Sequence, residues 1–177
     1  MSYAQKMDDI LNYFAYGSNM SLARIRARVP GCVFKGRAVL ARHQLRFHKK
    51  GRDGSAKCDA FYTGDNEHVI HGVLFSLTTG ERIVLDSYEG LGKGYERKQI
   101  LLQQDSLSFS AFLYYATAID ARLQPFNWYK QHVITGAEEA GLPSAYINYL
   151  CSISSVNDPD VRRTAEQLAI YQTDILA

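Results

Sequence analysis

Val69-Ile70-His71-Gly72-Val73-Leu74-Phe75-Ser76-Leu77 is apolar at both parities of an extended chain. Val69, Val73, Phe75 and Leu77 fall on one face with His71, while Ile70 and Leu74 fall on the other with Gly72 and Ser76. A strand with one face in water alternates apolar and polar residues. This run predicts a strand covered on both sides, as in a closed barrel.

The segments on either side extend that reading. Tyr13-Phe14-Ala15-Tyr16 is a short aromatic run halted by Gly17-Ser18-Asn19, a strand that ends in a turn. Met20, Leu22, Ile25 and Val29 then recur at helical spacing with Arg24, Arg26 and Arg28 interleaved. They predict a helix capped by Ser18 or Ser21 that stops before Pro30-Gly31. Phe34 to Phe47 holds one or two strands, and Ala60 to Thr63 another. Thr78 and Glu81 fit a capping box, which predicts a short helix from about Gly80 to Tyr88. Glu96 to Gln103 and Phe109 to Thr117 read as two strands of a hairpin joined through Asp105-Ser106.

The last third is helical. Trp128, His132 and Ala137, with Tyr129, Val133 and Ile134, outline an amphipathic helix ending near Gly141-Leu142-Pro143. Ser144 caps the next helix, and Asn157-Asp158-Pro159 turns into a final one from Val161 to about Tyr171. Strands followed by helices make the class α+β. With 177 residues, 46% of them hydrophobic, the chain can fill one core but not two, so one domain spans it. Its core is expected from about residue 13 to 151.

A net charge of +2 gives no reason to expect nucleic acid or a membrane surface as partner. Lys49, Lys50 and Arg52 form the densest basic cluster, but among Gly51, Asp53, Gly54 and Ser55 they read as a solvated turn. Cys32, Cys58 and Cys151 are scattered and signal neither zinc nor disulfides. No basic-then-apolar leader opens the chain, and no apolar run nears the roughly 20 residues that span a bilayer. The expected location is cytoplasmic.

Three features can carry chemistry. Tyr16-Gly17-Ser18-Asn19 lies at a strand-to-helix junction, where N–H groups can grip an anion, although an ordinary capped turn looks the same. Asp86-Ser87-Tyr88-Glu89-Gly90 ends a short helix, where desolvation would suit a glutamate to general-base work; a surface glutamate is the plainer alternative. Tyr88, Tyr95, Tyr114, Tyr115 and Tyr129 could each bring a hydroxyl to a pocket or simply fill a core. The histidines do not converge as metal ligands: His68 and His71, and likewise His43 and His48, differ in strand parity, and His132 stands alone.

Tyr13-Phe14-Ala15-Tyr16-Gly17-Ser18-Asn19-Met20 resembles the signature that opens γ-glutamylcyclotransferases. Leu85-Asp86-Ser87-Tyr88-Glu89-Gly90, followed by Tyr95, resembles the acidic motif of that family, and the block from Tyr129 to Tyr146 is similar to its mammalian-type members. The resemblance runs from about Tyr13 to Leu150 and departs at Lys49 to Ala56 and Ala118 to Gln124. It implies a small closed mixed β-barrel flanked by helices. It also implies a cyclising acyl transfer, akin to a lyase reaction and tied to glutathione metabolism, that turns γ-glutamyl amino acids or dipeptides into 5-oxoproline. Glu89 would be the acid/base. Tyr16, Gly17, Ser18, Asn19 and Met20 would hold the glutamyl head, the last four through backbone N–H groups. Tyr95, Tyr115 and Tyr129 would line the pocket, with Tyr114 as the alternative should the register differ by one. No metal or cofactor is expected, and a homodimer is left open. A small dipeptide such as γ-glutamyl-alanine is the expected substrate, with glutathione a poor one. Two alternatives stand beside this: a cyclotransferase for γ-glutamylamines or another γ-glutamyl carrier, and a catalytically silent binding module of the same fold.

Overall fold

The computed structural model describes residues 9–104 and 107–172. The doubly apolar run becomes β5 (Val69–Thr78), a strand with a neighbour on each edge. β1 (Ile10–Ala15) lies antiparallel on one edge and β2 (Val33–Ala41) antiparallel on the other. β6 (Tyr95–Gln104) and β7 (Leu107–Ala116) form a hairpin in full antiparallel register. The hairpin joins β2 through Val39 and Gln103, and β7 meets β1 in parallel at Tyr13 and Phe112. The order β1-β5-β2-β6-β7 therefore closes into the expected mixed barrel. The Asp105-Ser106 turn lies outside the described residues.

Phe14, Phe75, Ile70, Leu77, Leu102 and Leu113 are fully buried; on β5 Ile70 lies on one face and Phe75 and Leu77 on the other, so both faces of that strand are covered. Such side chains contribute roughly 1.5–3 kcal/mol each. The Phe34–Phe47 stretch splits, giving β3 (His43–Lys50), which pairs with β4 (Ala56–Tyr62) in a separate two-stranded sheet.

The helices carry the site. α1 (Leu22–Arg28) is preceded by a single 3-10 turn over Ser18–Met20, and Ser21 takes the cap position between them. α2 (Thr79–Glu89) begins in the expected capping box: Thr78 Oγ1 accepts from the Glu81 N–H at 3.2 Å, and Glu81 Oε2 accepts from the Thr78 N–H at 2.8 Å. It stops at Gly90, whose φ of 71° continues no helix. α3 (Asn127–Glu139), α4 (Ser144–Ser152) and α5 (Val161–Leu168) follow. One cap differs from expectation. Ser144 is the first helical residue of α4, and Pro143 before it holds the cap position with no side-chain hydrogen bond. Among the described residues, no helix is long and apolar enough to cross a membrane.

Gly136 seats α3 against the turn after β1. A Cβ there would stand 2.3 Å from the Ser21 nitrogen and 2.4 Å from the Met20 carbonyl carbon. Those are backbone atoms that cannot swing aside. Gly136→Val is expected to destabilise the protein by about 1–3 kcal/mol, as overpacking does. Urea denaturation checks it, and an unchanged midpoint would show that α3 does not set the position of the turn.

Candidate active site

The turn after β1 presents three backbone donors. Met20 N–H donates to the Gly17 carbonyl at 3.0 Å, and Ser21 N–H to that of Ser18 at 3.3 Å. Among the described residues, no protein acceptor meets the N–H groups of Gly17, Ser18 and Asn19. These are the unpaired donors of a helix start, suited to an oxyanion or carboxylate. Met20 departs from expectation, because its N–H is already engaged by the 3-10 turn and its side chain is buried in the core. Gly17 is explained by close packing against the protein itself. Its φ is −118°, and a Cβ would lie 3.0 Å from Cys58 Cβ and 3.3 Å from the Tyr129 hydroxyl.

Glu89 is the last residue of α2, at the end where the helix's own partial negative charge disfavours a carboxylate. Compensation comes from across the chain. Glu89 Oε1 accepts from Arg28 at 2.8 Å and from Asn19 Nδ2 at 2.9 Å, while Arg28 also donates to Asn19 Oδ1 at 2.8 Å. The triangle is closed and mostly out of water, with the Arg28 and Glu89 side chains 16% and 15% exposed. Both bonds to Glu89 fall on Oε1, and among the described residues no protein donor reaches Oε2. The expected partly desolvated carboxylate is thus accompanied by a cation that the sequence reading missed. The available signal was the i, i+4 spacing of Arg24 and Arg28, which puts them on one face of the helix leaving the signature turn.

Behind Glu89 lies a narrow pocket of about 30 Å³, walled by Tyr13, Tyr16, Tyr95, Tyr114 and Tyr129 with Gly17, Ser18, Asn19 and Cys58. The hydroxyls are mostly fixed. Tyr16 donates to the Tyr114 carbonyl and Tyr95 to the Cys58 carbonyl. Tyr114 donates to Asp86 Oδ1 at 2.7 Å, and Tyr129 accepts from the Cys58 N–H at 3.0 Å. Burial pushes each of these phenols above its ordinary value, so all remain neutral O–H groups near pH 7. Burial also pushes the Cys58 thiol up to about 12, which keeps it from being a thiolate nucleophile.

The tyrosine on β7 is Tyr114, not Tyr115. Tyr13, Phe112 and Tyr114 share one face, with ring centroids 5.2–5.8 Å apart. Tyr115 points the other way, under the Lys98 ammonium at 5.2 Å. Tyr13 also belongs to the site, since its hydroxyl accepts from Asn19 Nδ2 at 3.0 Å.

The tyrosine pocket shares Ser18, Glu89, Tyr95 and Tyr129 with an outer cleft of about 210 Å³. The cleft wall includes the segment expected to be a solvated turn. Lys49 is buried there, its ammonium 4.5 Å from the centre of the Tyr95 ring, and Lys57 pairs with Asp53 at 2.7 Å. The β3–β4 pair brings this segment to the cleft beside Tyr95 and Glu89, which no local pattern discloses. Among the described residues, no group of three or more His, Cys, Asp and Glu side chains converges as metal ligands.

A closed mixed barrel with a largely buried carboxylate beside three unpaired backbone donors forms a site fitted to small-molecule chemistry. The sequence model of the AIG2-like family matches residues 69–150. Bovine γ-glutamylcyclotransferase is 30% identical over 149 residues, which cover 80% of this chain and 77% of the bovine protein. Among solved structures, an uncharacterised human protein superposes with a TM-score of 0.76 at 23% identity, and a γ-glutamyl cyclotransferase with 0.75 at 24%. Each alignment covers 90% of this chain and 99% of the other. The chain belongs to the γ-glutamylcyclotransferase family.

The triangle generates a test. In a thermodynamic cycle of Arg28→Met, Glu89→Gln and the double variant, the two stability losses should couple by about 1–2 kcal/mol, since removing either partner strands the other. Strict additivity in urea denaturation would mean that the ion pair does not hold Glu89.

Proposed function

We propose that the chain cyclises γ-glutamyl amino acids or dipeptides to 5-oxoproline, with Glu89 moving the protons. The observation that carries this is the placement of Glu89 where pocket and cleft meet, with Oε1 anchored and Oε2 unengaged. The similarity to bovine γ-glutamylcyclotransferase supports the same reading.

A γ-glutamyl compound carries its own nucleophile. The α-nitrogen closes a five-membered ring on the γ-carbonyl, and the amide bond from that carbonyl carbon to the leaving nitrogen breaks. The α-nitrogen arrives as an ammonium and loses two protons, while the leaving nitrogen gains two and departs as an ammonium. Glu89 relays them and ends as it began, a carboxylate. Holding the substrate folded makes the attack intramolecular, so positioning supplies much of the rate. The unpaired N–H groups of Gly17, Ser18 and Asn19 take the oxyanion or the α-carboxylate.

Arg24 is a second receptor for the α-carboxylate. Its guanidinium donates to Ser18 Oγ at 3.1 Å and to Gln167 Oε1 at 2.8 Å, and it lines the cleft. It has no carboxylate partner among the described residues, and burial lowers its pKa to about 10. An anion from the substrate would compensate that charge.

Glu89→Gln keeps size and hydrogen-bonding atoms but cannot accept a proton. Its kcat for 5-oxoproline release from γ-glutamyl-alanine should fall about 10²–10⁴-fold. Added 5-oxoproline should still raise its melting temperature, because ligand binds the native state. Retention of more than about a tenth of the wild-type kcat in a folded variant would remove Glu89 from the role of base.

A further inference from the structure

The cleft outside Glu89 holds more positive charge than a γ-glutamyl dipeptide with an uncharged leaving side chain matches. Arg24, Arg28, Lys49, Arg52 and Lys57 face only Asp53 and Glu89. Two of the cations are neutralised, Arg28 by Glu89 at 2.8 Å and Lys57 by Asp53 at 2.7 Å. Among the described residues, Arg24, Lys49 and Arg52 have no carboxylate partner.

Lys49 and Arg52 both reach the loop that follows Glu89. Lys49 ends near the turn between β3 and β4, and Arg52 lies within that turn. Each cation occupies room left by a glycine of the loop after Glu89. A Cβ on Gly90 would sit 3.2 Å from the Arg52 guanidinium, and one on Gly94 would sit 3.3 Å from Lys49 Nζ. Both glycines have positive φ, so the backbone that admits the cations is one that other residues adopt only under strain. Burial and the neighbouring Arg52 both hold Lys49 below its ordinary value, while Glu89 and Asp53 oppose them. A buried ammonium with a second cation beside it is costly unless an anion joins them.

The substrate is the source of that anion. With a neutral leaving residue, a γ-glutamyl dipeptide carries two carboxylates and one ammonium. Once Arg24 or the turn holds the α-carboxylate, one leaving-residue carboxylate remains for two cations. A dicarboxylic leaving residue supplies the second. We propose that Lys49 and Arg52 are specificity-determining residues that select γ-glutamyl compounds whose leaving amino acid bears a side-chain carboxylate. This rests on the cyclotransferase reading above. The same charges repel a cationic leaving amine, so they discriminate in both directions.

The test compares kcat/KM for γ-glutamyl-glutamate with that for γ-glutamyl-glutamine, which differ only by an acid-to-amide exchange. In the wild type the acidic compound should be favoured by about tenfold or more, with the margin shrinking as ionic strength rises. Arg52 is exposed, so Arg52→Gln tests the charge without disturbing the core, and Lys49→Gln tests the buried partner. Each should bring the ratio several-fold closer to one, and Arg52→Lys should restore most of it. A wild-type ratio at or below one, or a ratio that neither variant moves, overturns the proposal and leaves the cyclotransferase reading intact. If neither compound yields 5-oxoproline, the cyclotransferase reading fails, and the proposal falls with it.

Discussion

Two donors converge on a single oxygen of Glu89, and that convergence joins three segments distant in sequence. Asn19 comes from the turn after β1, Arg28 from α1 and Glu89 from the end of α2. A carboxylate at a helix C-terminus and largely out of water is unfavourable by itself. It persists here because a guanidinium meets it at 2.8 Å and an amide orients it. The rest of the fold fixes the ends of this arrangement. The Thr78–Glu81 capping box sets where α2 starts, Gly90 sets where it stops, and Gly136 lets α3 press the signature turn into place. Intramolecular chemistry is sensitive to such placement, because ångström displacements erode the advantage of a held geometry.

The site divides its electrostatics by depth. Inside, buried tyrosines stay neutral and spend most of their hydrogen bonds on the protein, so they shape a pocket rather than charge it. Outside, the cleft wall is cationic. A head group that reaches inward and a leaving residue that remains outward would meet different environments, as the proposed cyclisation requires.

Much of this was legible in the sequence, for physical reasons that differ by element. β5 declared its burial because a barrel strand whose outer face is also covered carries apolar residues at both parities, and α2 declared its start because a capping box is local chemistry. Glu89 and the turn from Gly17 to Asn19 were legible only together, since either alone matches common surface structure. What stayed hidden was tertiary. The choice between Tyr114 and Tyr115 depends on the register of β7 against its neighbours, which the adjacent tyrosines do not encode. Met20 N–H was lost to a 3-10 bond that an ordinary helix start would not make. Lys49 and Arg52 looked like solvated turn residues because their composition is that of a turn; only the β3–β4 pair brings them to the cleft beside Tyr95 and Glu89.

In the proposed cyclisation the α-amine of the substrate, and not water, attacks the γ-carbonyl. Turnover of γ-glutamyl-alanine in ¹⁸O-labelled water, followed by mass spectrometry of the products, tests it most directly. The account predicts unlabelled 5-oxoproline and free alanine in equal amounts. Glutamate carrying one ¹⁸O atom in its side-chain carboxylate would contradict it and make the chain a γ-glutamyl hydrolase.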